Sequence, residues 1–101
     1  MKKTLILAAI AALSLPMTAN AERTGEEIYN TKCGVCHAAG IAGAPLFGNA
    51  EEWAPRAAKG IDALLASAKT GLNAMPPMGT CMDCSDTELT AAIQYMLDAA
   101  K

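Results

Sequence analysis

Apolar residues recur along the second half of the chain at helical spacing, and no stretch alternates apolar with polar residues at the period of a strand. Ile61, Leu64, Leu65 and Ala68 fall on one face of a helix over residues 61–69, with Gly71 placed to stop it. Leu89, Ile93, Met96, Leu97 and Ala100 form a second stripe. It follows Ser85-Asp86-Thr87-Glu88, where Ser85 and Glu88 have the three-residue offset of a capping box. Thr24 and Glu27 repeat that offset and open a first helix from about Gly25 into Cys33. Asn49-Ala50-Glu51-Glu52 offers another start, although Pro55 would interrupt or kink a helix running through it. Residues 40–48 and 73–80 are rich in Gly, Ala and Pro and read as loops. The expectation is an all-α fold of three to four short helices joined by ordered loops.

The first 21 residues do not belong to that pattern. Lys2 and Lys3 precede an apolar run over residues 5–15, then Pro16 and the small-residue sequence Ala19-Asn20-Ala21. This is the layout of a secretory signal peptide, with cleavage expected before Glu22. The run is shorter than the roughly 20 residues a spanning helix needs. The expected organisation is therefore a removed signal (1–21) and one domain (22–101), exported to the periplasm and not integral to the membrane. Without Lys2 and Lys3, six basic residues stand against ten acidic ones, a formal charge of −4. That balance argues against a nucleic-acid partner. A chain of about 80 residues builds a thin core. Its aromatics are only Tyr29, Phe47, Trp53 and Tyr95, so such a domain needs a staple.

Cys33-Gly34-Val35-Cys36-His37 supplies one. C-x-x-C-H is the attachment signature of c-type heme. Two thiols a helical turn apart reach the two vinyl groups, and the adjacent histidine is delivered to the iron as an axial ligand. A bare C-x-x-C would equally suit a thiol–disulfide site, a structural disulfide or half a zinc site; His37 and the export signal favour heme. His37 is the only histidine, which excludes two histidine ligands from one chain. A sixth ligand must come from elsewhere. Met96 belongs to the apolar stripe of the last helix, and Met82 lies between two cysteines. Met75 and Met78 both lie in the proline-rich loop; Met75, held extended by Pro76, is favoured, with Met78 the alternative. Histidine–methionine ligation raises the reduction potential and leaves no open position for a substrate, which points to electron transfer rather than to an enzyme. The Pro45 carbonyl is placed to accept from the second histidine nitrogen. Trp53 and Arg56 are candidates to hydrogen-bond a heme propionate, against the plainer roles of core tryptophan and solvated arginine.

Cys81-Met82-Asp83-Cys84 repeats the spacing, but Ser85 follows where a heme site would need histidine. The 44 residues between Cys36 and Cys81 are too many for a zinc ribbon. In an oxidising compartment a local Cys81–Cys84 disulfide is the better reading, clipping the ligand loop to the last helix.

Taken together, these motifs resemble the class I c-type cytochromes, specifically the small cytochrome c5 type. The resemblance rests on the heme motif, on Gly43-Ala44-Pro45-Leu46 and Trp53-Ala54-Pro55-Arg56, on Gly71-Leu72-Asn73-Ala74-Met75-Pro76-Pro77, and on Cys81 to Cys84 followed by Ser85-Asp86. It covers essentially all of residues 22–101. It implies one covalent heme c held through Cys33 and Cys36, His37 and Met75 as axial ligands, and Cys81–Cys84 as a disulfide. It also implies a tight crossing of first and last helices, which Gly25, Tyr29 and Tyr95 fit. The function implied is soluble one-electron transfer to a terminal oxidase or other respiratory reductase, through transient contact with redox partner proteins. The oligomeric state is left open between monomer and weak dimer. The competing function is a heme sensor or minor peroxidase with a labile methionine ligand.

Overall fold

The computed structural model describes residues 22–101; the expected signal peptide lies outside them. The first helix comprises α1 (Gly25–Ile28), a π-helical turn (Tyr29–Cys33) and α2 (Gly34–His37). Thr24 caps it as expected: its Oγ1 accepts from Glu27 N–H at 3.1 Å, and Glu27 Oε1 accepts from Thr24 N–H at 2.8 Å. The helix runs one turn beyond the expected end. A simple 3.6-residue period does not anticipate the π turn, in which Gly34 N–H donates to the carbonyl of Tyr29, five residues back. Cys33 packs against the clusters that hold Ile28 and Tyr29, and Gly34 lies against Tyr29.

Helix α3 (Ala50–Ala57) starts at Asn49, whose Oδ1 accepts from Glu52 N–H at 3.0 Å. Pro55 sits inside it. The helix continues without that one backbone donor, because its buried face holds it through Trp53. Helix α4 (Ile61–Thr70) ends at Gly71, whose φ of 89° only glycine adopts cheaply. Helix α5 (Asp86–Ala99) has the expected capping box at Ser85 and Glu88. Among the described residues there is no strand, only an isolated bridge between Leu72 and Met75.

The core is where α1 crosses α5. A Cβ on Gly25 would stand 2.2 Å from the Ala91 carbonyl oxygen, so only glycine permits this approach. Ile28, Leu89 and Ala92 bury there with Cys81 and Cys84. Tyr29, Trp53, Met96 and Ala100 form a second cluster, with Phe47 and Tyr95 packed against it. Cys33 touches both clusters. The expected crossing residues thus meet: the Tyr29 and Tyr95 rings lie 5.5 Å apart.

Between α4 and α5 the chain forms a loop that ends in a 3-10 turn (Pro77–Thr80). Met78, Gly79 and Thr80 have φ of 62°, 56° and 70°, three left-handed residues in succession. For the two that are not glycine this costs roughly 1–3 kcal/mol each. The disulfide Cys81–Cys84 follows directly, with Cα atoms 5.4 Å apart.

Candidate heme site

His37 is buried at the end of α2. Its Nδ1–H donates to the Pro45 carbonyl at 2.9 Å, which leaves Nε2 as the nitrogen free to ligate. Three further bonds fix the loop that carries this acceptor. Phe47 N–H donates to the His37 carbonyl at 2.8 Å, Leu46 N–H to Glu52 Oε1 at 2.8 Å, and Trp53 Nε1–H to the Leu46 carbonyl at 3.1 Å. The Trp53 indole stacks on the imidazole with centroids 5.7 Å apart and planes at 27°. Both the tautomer and the tilt of the ring are thereby set. The sequence marks Leu46 only as part of the Gly43-Ala44-Pro45-Leu46 motif and Glu52 only as part of a helix start, at the third helical residue of α3, the position that reaches back from a capping box.

Two adjoining cavities, of about 290 and 400 Å³, open beside this histidine. Cys33, Cys36, His37, Pro45, Arg56 and Met75 line the first. His37, Pro45, Arg56 and Met75 also line the second, together with Trp53, Leu64, Ile93 and Met96. Neither cysteine is in a disulfide.

The methionines separate clearly. Met75 lines both cavities, and its Cε lies over Gly79, where a Cβ would come within 3.3 Å. The Leu72 and Met75 backbones bond each other in both directions, at 2.9 and 3.0 Å. Met78 lines neither cavity and packs against the Ile28–Cys81 core. Met82 is 73% exposed on the disulfide turn. Met96 is buried beside Trp53 and lines only the second cavity.

Trp53 and Arg56 are both at the cleft, with a difference from expectation for the tryptophan. Its indole N–H, one of two candidates for a propionate, donates instead to the Leu46 carbonyl, in keeping with the alternative role as a core tryptophan. Arg56 gives one guanidinium N–H to the Glu52 carbonyl and keeps the others unpartnered among the described residues.

Paired thiols, one imidazole nitrogen held free and an apolar cleft are the chemistry that a covalent heme requires, so the residues present fit it. The sequence model of the family described as cytochrome c oxidase, cbb3-type, subunit III matches residues 20–96. The chain is 50% identical to cytochrome c5 of Ectopseudomonas mendocina over 76 residues, covering 73% of this chain and 87% of that protein. The chain belongs to the class I c-type cytochromes, in the cytochrome c5 group. As such a cytochrome it carries one covalently bound heme c and is a small electron carrier. Its fold is similar to a cytochrome c crystallised in an electron-transfer complex with nitrite reductase (TM-score 0.73, 48% identity, 76% of this chain and 94% of that one). It is also similar to a mono-heme ferrocytochrome c from Shewanella putrefaciens (TM-score 0.69, 54% identity, 75% and 94%). No helix among the described residues of this cytochrome is long and apolar enough to cross a membrane.

Proposed function

We propose that this cytochrome is a soluble periplasmic one-electron shuttle, exported by residues 1–21, with His37 and Met75 as axial ligands. The observation that carries this reading is the shared lining of one cleft by Cys33, Cys36, His37 and Met75, while Met78 packs into the core. When bound, the heme supplies a single ferric–ferrous couple. Cys33 and Cys36 hold it as thioethers. Pro45 keeps the His37 Nδ1 proton in place, so Nε2 presents its lone pair in one orientation. The Met75 thioether favours the reduced state. With both axial positions taken by side chains of this chain, none remains for a substrate, which favours a carrier over a sensor, a peroxidase or any other enzyme. Arg56 lines both cavities, which supports it as the partner of a propionate.

The charges around the cleft describe its partner. Among the described residues Arg23, Lys69 and Lys101 are ion-paired, whereas Lys32, Arg56 and Lys59 are not. Those three line the cleft, and no acidic side chain does. Val35, Ile41 and Leu72, all more than half exposed, stand at the first cavity. A redox protein with an apolar patch ringed by carboxylates suits this rim. Charge there would speed encounter more than it would tighten binding, in keeping with transient contacts of small area. A reductase fits the company of the similar cytochrome crystallised with nitrite reductase; a membrane-bound oxidase fits equally.

The test is the absorption spectrum of wild type and Met75→Ala, matured with heme in a periplasmic fraction. A low-spin ferric spectrum is expected, with a sulfur-to-iron charge-transfer band that the variant loses. A band that survives Met75→Ala would overturn the ligand assignment, and a wild type without the band would favour the sensor or peroxidase reading. The purified mass should correspond to residues 22–101 plus heme.

A further inference from the structure

Arg23 stands outside the cleft, and nothing in the carrier reading uses it. Its backbone N–H and Nε–H both donate to Glu88 Oε2, at 2.9 and 2.8 Å. Its Nη2 donates to Glu88 Oε1 at 3.0 Å, and to the carbonyl and Oδ1 of Asp83 at 3.3 Å. Glu88 is the one buried acidic side chain among the described residues. Arg23 therefore ties the segment just before α1 to the first turn of α5 and, through Asp83, to the disulfide turn.

That turn is the far anchor of the loop holding Met75. Behind Met75 comes the left-handed run Met78-Gly79-Thr80, a conformation that persists only where the surroundings impose it. At its near end, Met75 and Leu72 bond each other across the start of the loop. At its far end, Cys81 N–H donates to the Met78 carbonyl at 2.9 Å, and Cys81 is fully buried and disulfide-bonded to Cys84. Arg23 grips two of the four residues between Cys81 and α5, Asp83 by hydrogen bond and Cys84 by contact at 3.9 Å.

We propose that Arg23 is a positioning residue for the Met75 sulfur, bracing the strained end of the ligand loop through the Cys81–Cys84 turn. This rests on the reading of Met75 as axial ligand. Without the brace, the left-handed run relaxes and the sulfur leaves the iron more often, while the helices stay folded.

The test follows the sulfur-to-iron band of the ferric protein against rising pH, with helical circular dichroism recorded in parallel. Asp83→Ala removes the side-chain link to the turn, leaves the bond to the residue-83 carbonyl and spares the Glu88 pair. It should raise the fraction of protein lacking the band roughly twofold to fivefold, the scale of one exposed ion pair, with helix content unchanged. Arg23→Gln should raise it at least as much, and Arg23→Lys, which keeps the charge without the fork, should recover part of it. Lys69→Gln, which removes the Lys69–Asp86 pair at 3.0 Å, should change nothing. If Asp83→Ala and Arg23→Gln hold the band as firmly as wild type, or lose it only together with the helices, Arg23 is merely structural and the proposal is overturned. Should Met75→Ala keep the band, the ligand reading has failed, and this proposal falls with it; a band lost in Met75→Ala but indifferent to Arg23 removes this proposal alone.

Discussion

The wall of the cleft that carries His37 is made of helix and aromatic packing, whereas the wall that carries Met75 is a loop with three left-handed residues behind it. On the histidine side every constraint is local: Pro45, Leu46, Phe47 and Trp53 all bond within sixteen residues of His37. On the methionine side Leu72 and the disulfide turn are also near in sequence, but the brace on that turn, Arg23, lies about 50 residues before Met75. On the proposed ligation, one ligand, His37, is held by the cooperative fold and should leave the iron only when the protein unfolds. The other is held by a braced segment and should leave earlier, because segments with few buried contacts open at lower free energy than the core.

The strongest way to break this contrast is Trp53→Ala. It removes a buried side chain and the support of the imidazole together, and should cost about 3–5 kcal/mol in denaturant unfolding. The sulfur band should then vanish along with the helices; a variant that lost the band first would show that the histidine wall is not the rigid one. Gly25→Ala comes next. A helical alanine gains about 1 kcal/mol over glycine, but its methyl would strike the Ala91 carbonyl, and overpacking of that kind costs about 1–3 kcal/mol. A net loss of stability is expected, in the α1–α5 crossing and not in the loop, so an equally stable variant would contradict the close approach of the two helices.

A third effect is confined to acid. Hydrogen bonds from Arg23 and Ser85 hold the Glu88 carboxyl down to about 2, from an ordinary 4.5. A carboxyl lowered in the folded state contributes stability that is complete above its unfolded value and is lost as pH falls through its folded value. Unfolding midpoints should therefore drop between about pH 4.5 and pH 2. Glu88→Gln should flatten that limb, and a profile unchanged by the substitution would remove Glu88 from the account. The smallest effect belongs to Met78→Leu. A volume-conserving change in the core should cost under about 1.5 kcal/mol and leave the sulfur band in place. A lost band would transfer the ligand role from Met75 to Met78.

The same division explains what could be read from the chain beforehand. The capping boxes at Thr24 and Ser85, the Gly71 stop and the C-x-x-C-H motif are all set within a few residues, and their geometry follows from spacing. Pro45 could be picked out because the distance from His37 is short. The choice between Met75 and Met78 could not be made from spacing, since both share one loop; their separation depends on left-handed residues that turn Met78 back to the core. Arg23 and Glu88 stand 65 residues apart, and nothing around either marks it as the other's partner. Trp53 was legible as a residue of the cleft, but the direction of its N–H depends on where Leu46 lies in three dimensions.

The π turn before the heme motif has a consequence for the length of the chain. Gly34 bonds five residues back to Tyr29, so the first helix holds one residue more than an α-helix needs to present the same two faces. Asn30 within that turn is exposed. Deleting it turns the five-residue bond into an ordinary four-residue one and leaves Ile28 above Cys33. The helix that carries the cofactor is thus a natural place for homologous chains to differ by one residue while keeping the same site.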